Sequence, residues 1–220
     1  MPDPTAPEPA PGSDLRLRRY EPRDLDAVYD IAVRTGDAGG DARPHLRDHR
    51  LVGELWAAPY VTLEPEHAHV LDGGTGRAVG YVLGTADVTA FEARCEQVWW
   101  PPLRRRYPLS DERTLDALLV SLLHHRPPPT PALDERFPSE LHIDLLPEAQ
   151  GRGWGRRMIE AVCDSFRRAG SPGVQLGTST RNTRAIAFYR HVGFEEQPSA
   201  PDAAAITFTR TLGDASQPPR

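Results

Sequence analysis

The stretch Gln150-Gly151-Arg152-Gly153-Trp154-Gly155 lies between a segment that alternates like a strand, residues 141–146, and one with the periodicity of a helix, residues 154–169. Glycine lets the backbone approach a ligand closely. The first turn of a helix adds free N–H groups and the positive end of the helix dipole. The stretch therefore predicts a binding site for a pyrophosphate or a similar anion, placed between a strand and a helix.

A glycine-rich turn between strand and helix also occurs in dinucleotide-binding and phosphate-binding proteins. This turn lacks the lysine of the Gly-x-x-x-x-Gly-Lys-(Ser/Thr) motif. It also stands in the last third of the chain, whereas a dinucleotide-binding turn normally follows the first strand. Nucleotide binding, or a tight turn that binds nothing, remains an alternative when the turn is considered alone.

A second segment, residues 182–194, reads Asn-Thr-Arg-Ala-Ile-Ala-Phe-Tyr-Arg-His-Val-Gly-Phe. Together the two segments resemble the GNAT acetyltransferases. In that family a (Gln/Arg)-x-x-Gly-x-(Gly/Ala) loop binds the pyrophosphate of coenzyme A, and a later Asn-x-x-Ala-x-x-Phe-Tyr-x-x-x-Gly-Phe segment completes the site. The matching residues are Gln150, Gly153 and Gly155 in the first motif, and Asn182, Ala185, Phe188, Tyr189, Gly193 and Phe194 in the second.

Further segments resemble the acetyltransferase-like domain that follows O-GlcNAc hydrolases in animals, and especially its free-standing bacterial relatives. The resemblance covers roughly residues 15–212. The segments that carry it are 34–41, 57–60, 80–84 and 99–103, the last of which reads Trp-Trp-Pro-Pro-Leu. The coenzyme A loop is degraded in the animal domain and intact in this chain, so the resemblance implies acetyl-CoA as the acyl donor.

The fold that this resemblance implies is α/β, with a mixed, mostly antiparallel sheet and helices on both faces. A helical insertion, about residues 87–138, precedes the cofactor-binding strand. One domain is expected over residues 14–212, with flexible, proline-rich and alanine-rich tails at 1–13 and 213–220. Local patterns predict strands near residues 60–63, 68–71 and 78–83, and helices near 45–56, 89–98 and 111–123.

Acetyl transfer from a thioester to an amine needs a base for the amine and an acid for the departing thiolate. Strand alternation puts His142 and Asp144 on one face of the sheet. We expect Asp144 to be the base, with His142 in reserve; a hydrogen-bond network under the sheet is the alternative for both. By resemblance, Tyr189 stands near the coenzyme A sulfur and is the expected acid, although it also suits an aromatic core.

The resemblance assigns backbone contacts with the cofactor to Leu145 and Leu146. The other cofactor contacts that it implies are Gln150, Gly151, Arg152, Gly153, Trp154, Gly155, Asn182, Phe188 and Tyr189. Asn182 suits a helix N-cap equally well. For the substrate, Asp37 and Asp41 suit a cationic amine, and Trp99 and Trp100 suit a pocket wall. The alternative is that these aspartates satisfy loop N–H groups and the tryptophans pack the insertion.

The 220 residues carry a net charge of −5, which gives no general attraction to nucleic acid or to anionic lipid. All 26 basic side chains are arginine, so the chain cannot acetylate itself on a lysine. Cys95 and Cys163 lack metal-ligand spacing, and we expect core thiols and no metal. No apolar run is long enough to span a membrane, and a cytoplasmic location is expected.

The function that these features predict is acetyl-CoA-dependent acetylation of an amine on a small molecule or a peptide. The sequence leaves one alternative of a different class. This is a non-catalytic module that binds acyl-CoA or a protein partner on the same scaffold.

Overall fold

The computed structural model describes residues 15–126, 130–200 and 202–213. Its centre is a seven-stranded sheet in the order β1-β2-β3-β4-β5-β7-β6. The strands are β1 (Arg16–Arg19), β2 (His69–Asp72), β3 (Ala78–Thr85), β4 (Ser139–Leu145), β5 (Gly173–Ser179), β6 (Glu195–Glu196) and β7 (Ala205–Thr211). Strands β4 and β5 are parallel, and the other neighbouring pairs are antiparallel. The expected mixed, mostly antiparallel sheet is confirmed. The predicted tails, apart from Gly213, lie outside the described residues.

Helices cover both faces of this sheet. They are α1 (Leu25–Thr35), α2 (Leu51–Trp56), α3 (Ala58–Leu63), α4 (Val88–Val98), α5 (Trp100–Arg106), α6 (Leu115–His124), α7 (Pro131–Arg136), α8 (Trp154–Arg168) and α9 (Thr183–His191). Alternate residues of β3 enter different cores: Tyr81 and Leu83 join the one under α1 to α6, and Val82 joins the one under α8 and α9. No helix in the described ranges is long and apolar enough to cross a membrane.

The pairing between β4 and β5 is short. It consists of Ser139 with Val174 and Glu140 with Gln175, although β4 continues for five further residues and β5 for four. On its other side β4 stays paired with β3 as far as Leu145. The sheet therefore opens between β4 and β5, and this gap positions the candidate site.

Two local predictions for the segment between β1 and β2 were wrong. Residues 60–63, predicted as a strand, form the end of α3, which begins with Pro59 in its first turn, where proline costs no helical hydrogen bond. The helix predicted over residues 45–56 is regular only in α2. Before it, the carboxylate of Asp48 accepts a 2.8 Å hydrogen bond from the Arg50 N–H, which holds a turn there.

The segment predicted as an insertion contains four helices within its described residues, α4 to α7, where the sequence predicted two. Trp100-Pro101-Pro102 opens α5, and Pro131 opens α7, because proline fits the first turn of a helix. Helix α6 starts at Leu115, four residues after the predicted start, since the hydroxyl of Thr114 caps it through the Ala117 N–H at 3.2 Å. Residues 127–129 lie outside the described part.

Candidate active site

A cleft of about 460 Å³ lies where β4 and β5 separate. It is lined by the end of β4, the loop before α8, the first turn of α8, helix α9 and the loop that follows α1. The predicted site residues that line it are Asp144, Leu145, Gln150, Gly151, Gly153, Trp154, Gly155, Asn182, Phe188 and Tyr189. The structure therefore brings most of the predicted residues to one cavity.

The glycine loop shapes one end of this cleft. Gly151 and Gly153 have φ values of 73° and 75°, in the left-handed region that favours glycine. A Cβ at either position would meet no other atom within 4 Å, so the backbone there is open to a ligand. Gly153 is also the N-cap of the 15-residue helix α8, whose first N–H groups and dipole favour an anion. The residues fit a pyrophosphate group.

Gly155, in the first turn of α8, lies against the ring of Phe188 in α9. A Cβ at this residue would stand 2.8 Å from the ring carbon Cζ of Phe188. Because Phe188 itself lines the cleft, a larger residue at position 155 would push this ring into the cavity or separate the two helices. Glycine at residue 155 therefore leaves room for the Phe188 ring in the wall of the cleft.

The side chain of Gln150 ties the end of β4 to α9. Its Nε2 donates a 2.7 Å hydrogen bond to the carbonyl oxygen of Leu145, and its Oε1 accepts one of 2.7 Å from Arg184. Both partners line the cleft. Leu146, by contrast, is buried and does not line it, and its N–H donates to the carbonyl of Val79 at 2.9 Å. That N–H is thus already engaged within the sheet.

Asp144 is partly exposed and lies in the cleft wall. The hydroxyl of Tyr81, directly opposite on β3, donates a 2.6 Å hydrogen bond to its carboxylate oxygen Oδ2. Burial raises the pKa of Asp144 to about 6, although the hydrogen bond from Tyr81 favours the ionised form. At neutral pH this carboxylate is therefore ionised in most molecules and is more basic than an ordinary aspartate.

His142 lies outside the lining of the cleft. Its Nε2 is 3.1 Å from the hydroxyl of Tyr60, which in turn donates a 2.7 Å hydrogen bond to Glu140. Burial lowers the pKa of His142 to about 4, so the imidazole is neutral at physiological pH. This arrangement corresponds to the alternative of a hydrogen-bond network under the sheet.

Tyr189 belongs both to the aromatic core and to the wall of the cleft. Its ring is 7% exposed and packs at 5.9 Å from Phe194 and 5.6 Å from Phe208, between ring centroids. It also lines the cleft. Burial, with a smaller contribution from the charge of Asp144, raises the pKa of Tyr189 well above its usual range. The hydroxyl therefore keeps its proton at neutral pH, although the raised pKa also makes it a weaker acid than a free tyrosine.

Asn182 caps α9, because its Oδ1 accepts a 3.1 Å hydrogen bond from the Ala185 N–H, and it also lines the cleft. Its side chain thus stands both at the start of the helix and in the wall of the cleft. Arg152, on the glycine loop, is exposed and is outside the lining of the cleft.

The loop between α1 and α2 reaches the cleft through Ala38 and Gly39, and its two predicted aspartates lie beside the lining. The carboxylate of Asp37 accepts a hydrogen bond from Arg181. Asp41 forms a 2.6 Å ion pair with Arg43, and hydrogen bonding to that guanidinium lowers the pKa of Asp41 to about 2. Both aspartates therefore already have arginine partners.

The two tryptophans pack the insertion. Trp100 is fully buried, its Nε1 lies 3.3 Å from Glu92, and the guanidinium of Arg126 stands 4.6 Å from its ring centroid. Trp99 is half-buried and donates a 3.1 Å hydrogen bond to the carbonyl of Glu54. Neither lines the cleft, and the complete burial of Trp100 leaves no surface for a substrate. Their placement corresponds to the packing alternative.

A model of the acetyltransferase (GNAT) family matches residues 25–194. This chain belongs to the GNAT acetyltransferase family. The crystal structure of SsHAT is 42% identical in sequence and has a TM-score of 0.81, with 91% of this chain and 99% of that chain covered. A GNAT phosphinothricin acetyltransferase from Sinorhizobium meliloti, solved with acetyl-CoA, is 18% identical with a TM-score of 0.53, covering 94% and 93%. The latter similarity shows the shared fold alone.

Among curated proteins, the Protein O-GlcNAcase of Rattus norvegicus is 28% identical over 187 residues. The same identity is found for the Mus musculus protein. The match covers 80% of this GNAT chain and 20% of each relative, so the chain corresponds to about a fifth of their length. Both the family and the similarity to O-GlcNAcase that were read from the sequence are confirmed.

Several residues of this GNAT site were not among the site residues predicted from the sequence. Thr35, Ala38 and Gly39 line the cleft from the α1 side, and Arg184 lines it from α9. No cluster of His, Cys, Asp and Glu that could hold a metal ion occurs in the described parts of the chain.

Proposed function

We propose that this GNAT acetyltransferase transfers the acetyl group of acetyl-CoA to an amine of a small molecule or a peptide. One observation carries the proposal: Asp144 and Tyr189, an ionised base and a protonated acid, line the same cleft as the glycine cradle at α8. The relatives solved with acetyl-CoA share this fold. The acceptor class rests on the chemistry of the site.

The proposed roles begin with binding. The backbone at Gly151 and Gly153, with the first turn of α8, binds the pyrophosphate. The gap between β4 and β5 then receives the pantetheine arm and the thioester, beside Leu145. Gln150 forms hydrogen bonds with the carbonyl of Leu145 and with the side chain of Arg184, and these bonds fix the position of the cleft wall beside the cofactor.

The proposed proton transfers use Asp144 and Tyr189. An alkyl amine has a pKa of about 10.4 and reaches the enzyme as an ammonium ion, which cannot attack a carbonyl. Asp144 takes one proton from it, and the freed amine forms the new C–N bond with the acetyl carbon. As the C–S bond breaks, Tyr189 donates its proton to the sulfur, and the tyrosine regains one from the acetylated nitrogen or from water.

Isothermal titration with acetyl-CoA tests the cofactor site. Gly153→Asp places a carboxylate where the pyrophosphate is expected. We expect this variant to bind acetyl-CoA at least about tenfold more weakly than the wild type does. Gly170→Asp is the matched control, because Gly170 also has a positive φ, 86°, and open space around its Cα, at the far end of α8. Saturable binding by the wild type and by Gly170→Asp, with loss in Gly153→Asp, supports the proposal.

An acceptor panel then separates an enzyme from a binding module. Tyramine, spermidine and a peptide with free lysine amines span aryl-alkylamine, polyamine and protein acceptors. Release of coenzyme A thiol by the wild type, and its loss in Asp144→Asn, supports catalysis. Binding of acetyl-CoA without turnover of any panel member would favour the non-catalytic module, and no binding at all would refute the proposal.

A further inference from the structure

Two hydroxyl side chains lie at the carboxylate of Asp144, those of Tyr81 and Thr35. Tyr81 faces it from the neighbouring strand, in direct register across the β3–β4 ladder, and is 1% exposed. Its hydroxyl is 2.6 Å from Oδ2, a short separation typical of a hydrogen bond to an ionised acceptor. Thr35, at the end of α1, is the second neighbour. In the described residues, the polar and titratable groups that interact with Asp144 are therefore Tyr81, Thr35 and, through an electrostatic effect, Tyr189.

The two hydroxyl groups differ in what they can offer. Thr35 donates its hydroxyl proton to the carbonyl of Ile31 at 2.8 Å. A hydroxyl has one proton, so Thr35 cannot donate to Asp144 while this bond is formed. Tyr81 is fully buried, and its proton is directed at Oδ2. Of the two hydroxyl groups, Tyr81 is therefore the one that donates a hydrogen bond to Asp144.

We propose that Tyr81 is a positioning residue for the proton transfer: it occupies Oδ2 of Asp144 and leaves Oδ1 to take the proton of the acceptor amine. The inference rests on the proposed role of Asp144. In the step itself, the N–H bond of the ammonium breaks, an Oδ1–H bond forms, and Tyr81 keeps its own proton. The hydrogen bond stabilises the ionised carboxylate and so keeps the base unprotonated at neutral pH.

Two variants change the strength of this hydrogen bond in opposite directions. Tyr81→Phe removes the donor, and 3-fluorotyrosine at residue 81 makes the phenol more acidic with almost no change in packing. The titration of Asp144 can be followed by NMR of aspartate labelled with ¹³C at Cγ, with Asp144→Asn to assign its signal. We expect the titration to move to higher pH in Tyr81→Phe and to lower pH with fluorotyrosine.

Tyr60→Phe is the matched control. Tyr60 is also a buried tyrosine, and its hydroxyl donates a 2.7 Å hydrogen bond to another β4 carboxylate, that of Glu140. Its removal disturbs the same strand without touching Asp144, and the Asp144 titration is expected to stay in place. If Tyr81→Phe and fluorotyrosine also leave the titration in place, or both move it in one direction, the inference is wrong.

A kinetic readout supplements the titration. On the acidic side of the pH profile, Tyr81→Phe is expected to lower kcat/KM for the best panel acceptor by about tenfold, the loss of one hydrogen bond to a charged group. KM for acetyl-CoA should stay near the wild-type value. A uniform loss at all pH values would overturn the inference. The NMR experiment needs no turnover, so failure of the proposed function and failure of the Tyr81 inference are distinguishable.

Discussion

Gly39, in the loop that follows α1, lies directly against Asn182 at the start of α9. A Cβ on residue 39 would stand 3.2 Å from the side-chain nitrogen of Asn182, and the φ of Gly39 is 89°. The same Asn182 side chain caps α9 through the Ala185 N–H. The α1 side and the α9 side of the cleft therefore meet at this contact. A substitution at Gly39 would displace the side chain that caps α9.

The first prediction concerns this contact. Gly39→Ala is expected to displace the Asn182 side chain, to cost about 1–3 kcal/mol of unfolding free energy and to weaken acetyl-CoA binding. Gly170→Ala carries similar backbone strain, at φ 86°, but has no neighbour to displace. It should lose stability without losing binding. Urea unfolding and isothermal titration measure both effects, and equal losses in the two variants would contradict the prediction.

The parts of the site that the sequence predicted are those with local causes. Gly151 and Gly153 adopt positive φ just before a helix, and such a requirement appears in the sequence as glycine at fixed spacing. Alternation along β4 correctly grouped His142 with Asp144, because the two-residue repeat of a strand needs no tertiary information. The cap at Asn182 is local as well.

The parts that were missed depend on pairing between distant residues. Tyr81 lies 63 residues from Asp144, and Arg184 lies 34 from Gln150. These contacts follow from strand register and helix packing, which no single segment encodes. The wrong strand at residues 60–63 has another reason, since a short apolar run fits a strand or a buried helix equally well.

The second prediction is the pH dependence of the wild type. Asp144 has to be ionised to accept a proton, and its pKa is about 6. We expect kcat/KM for an amine acceptor to rise with pH through about 6 and then to level off until another group titrates. A rise centred near the ordinary aspartate pKa of about 3.9 would show that Asp144 is not the base.

The third prediction is a stability effect of the same carboxyl group. Its pKa is raised in the folded state from 3.8 to about 6, so the native protein holds this proton more tightly than the unfolded chain does. The resulting stabilisation is complete below the unfolded pKa and is lost as pH rises through about 6. Asp144→Asn carries no charge, so it should exceed the wild type in stability at pH 8 by about 1–3 kcal/mol.

Urea unfolding at pH 8 and pH 5 checks this effect, which should be smaller at pH 5. The same variant should lose most of its acetyl transfer. If Asp144→Asn is less stable than the wild type at pH 8, the folded protein stabilises the ionised carboxylate more than the neutral side chain, and the prediction is wrong.

The fourth prediction is that both cysteines are inert in the folded protein. Cys95 and Cys163 are fully buried, and burial raises their pKa values to about 12 and about 11. Thiol reagents attack the thiolate, so labelling at pH 8 should require unfolding. Mass spectrometry after a short treatment, with and without urea, measures this. Rapid labelling of the native protein would contradict the packing around α4 or α8.

The fifth prediction asks whether Asp37 attracts a cationic acceptor. Arg181, which is 70% exposed, forms an ion pair with Asp37 beside the cleft and so occupies the carboxylate. Arg181→Ala removes the arginine partner and leaves His45, 3.9 Å from the carboxylate, beside Asp37. We expect the KM for spermidine to fall a few-fold, with the effect reduced at high salt. Stability should change by less than about 1 kcal/mol, because exposed ion pairs contribute little.

Arg190→Ala is the control for the loss of an arginine. Arg190 also forms an exposed ion pair, with Glu196, on the helix that Arg181 precedes, and it does not line the cleft. Its removal changes the net charge equally but leaves Asp37 paired. If the two variants shift the KM for spermidine alike, the effect is one of overall charge, and Asp37 has no part in holding the acceptor. A fall confined to Arg181→Ala, and weaker for the less charged tyramine, would place a second ammonium group of the acceptor beside Asp37.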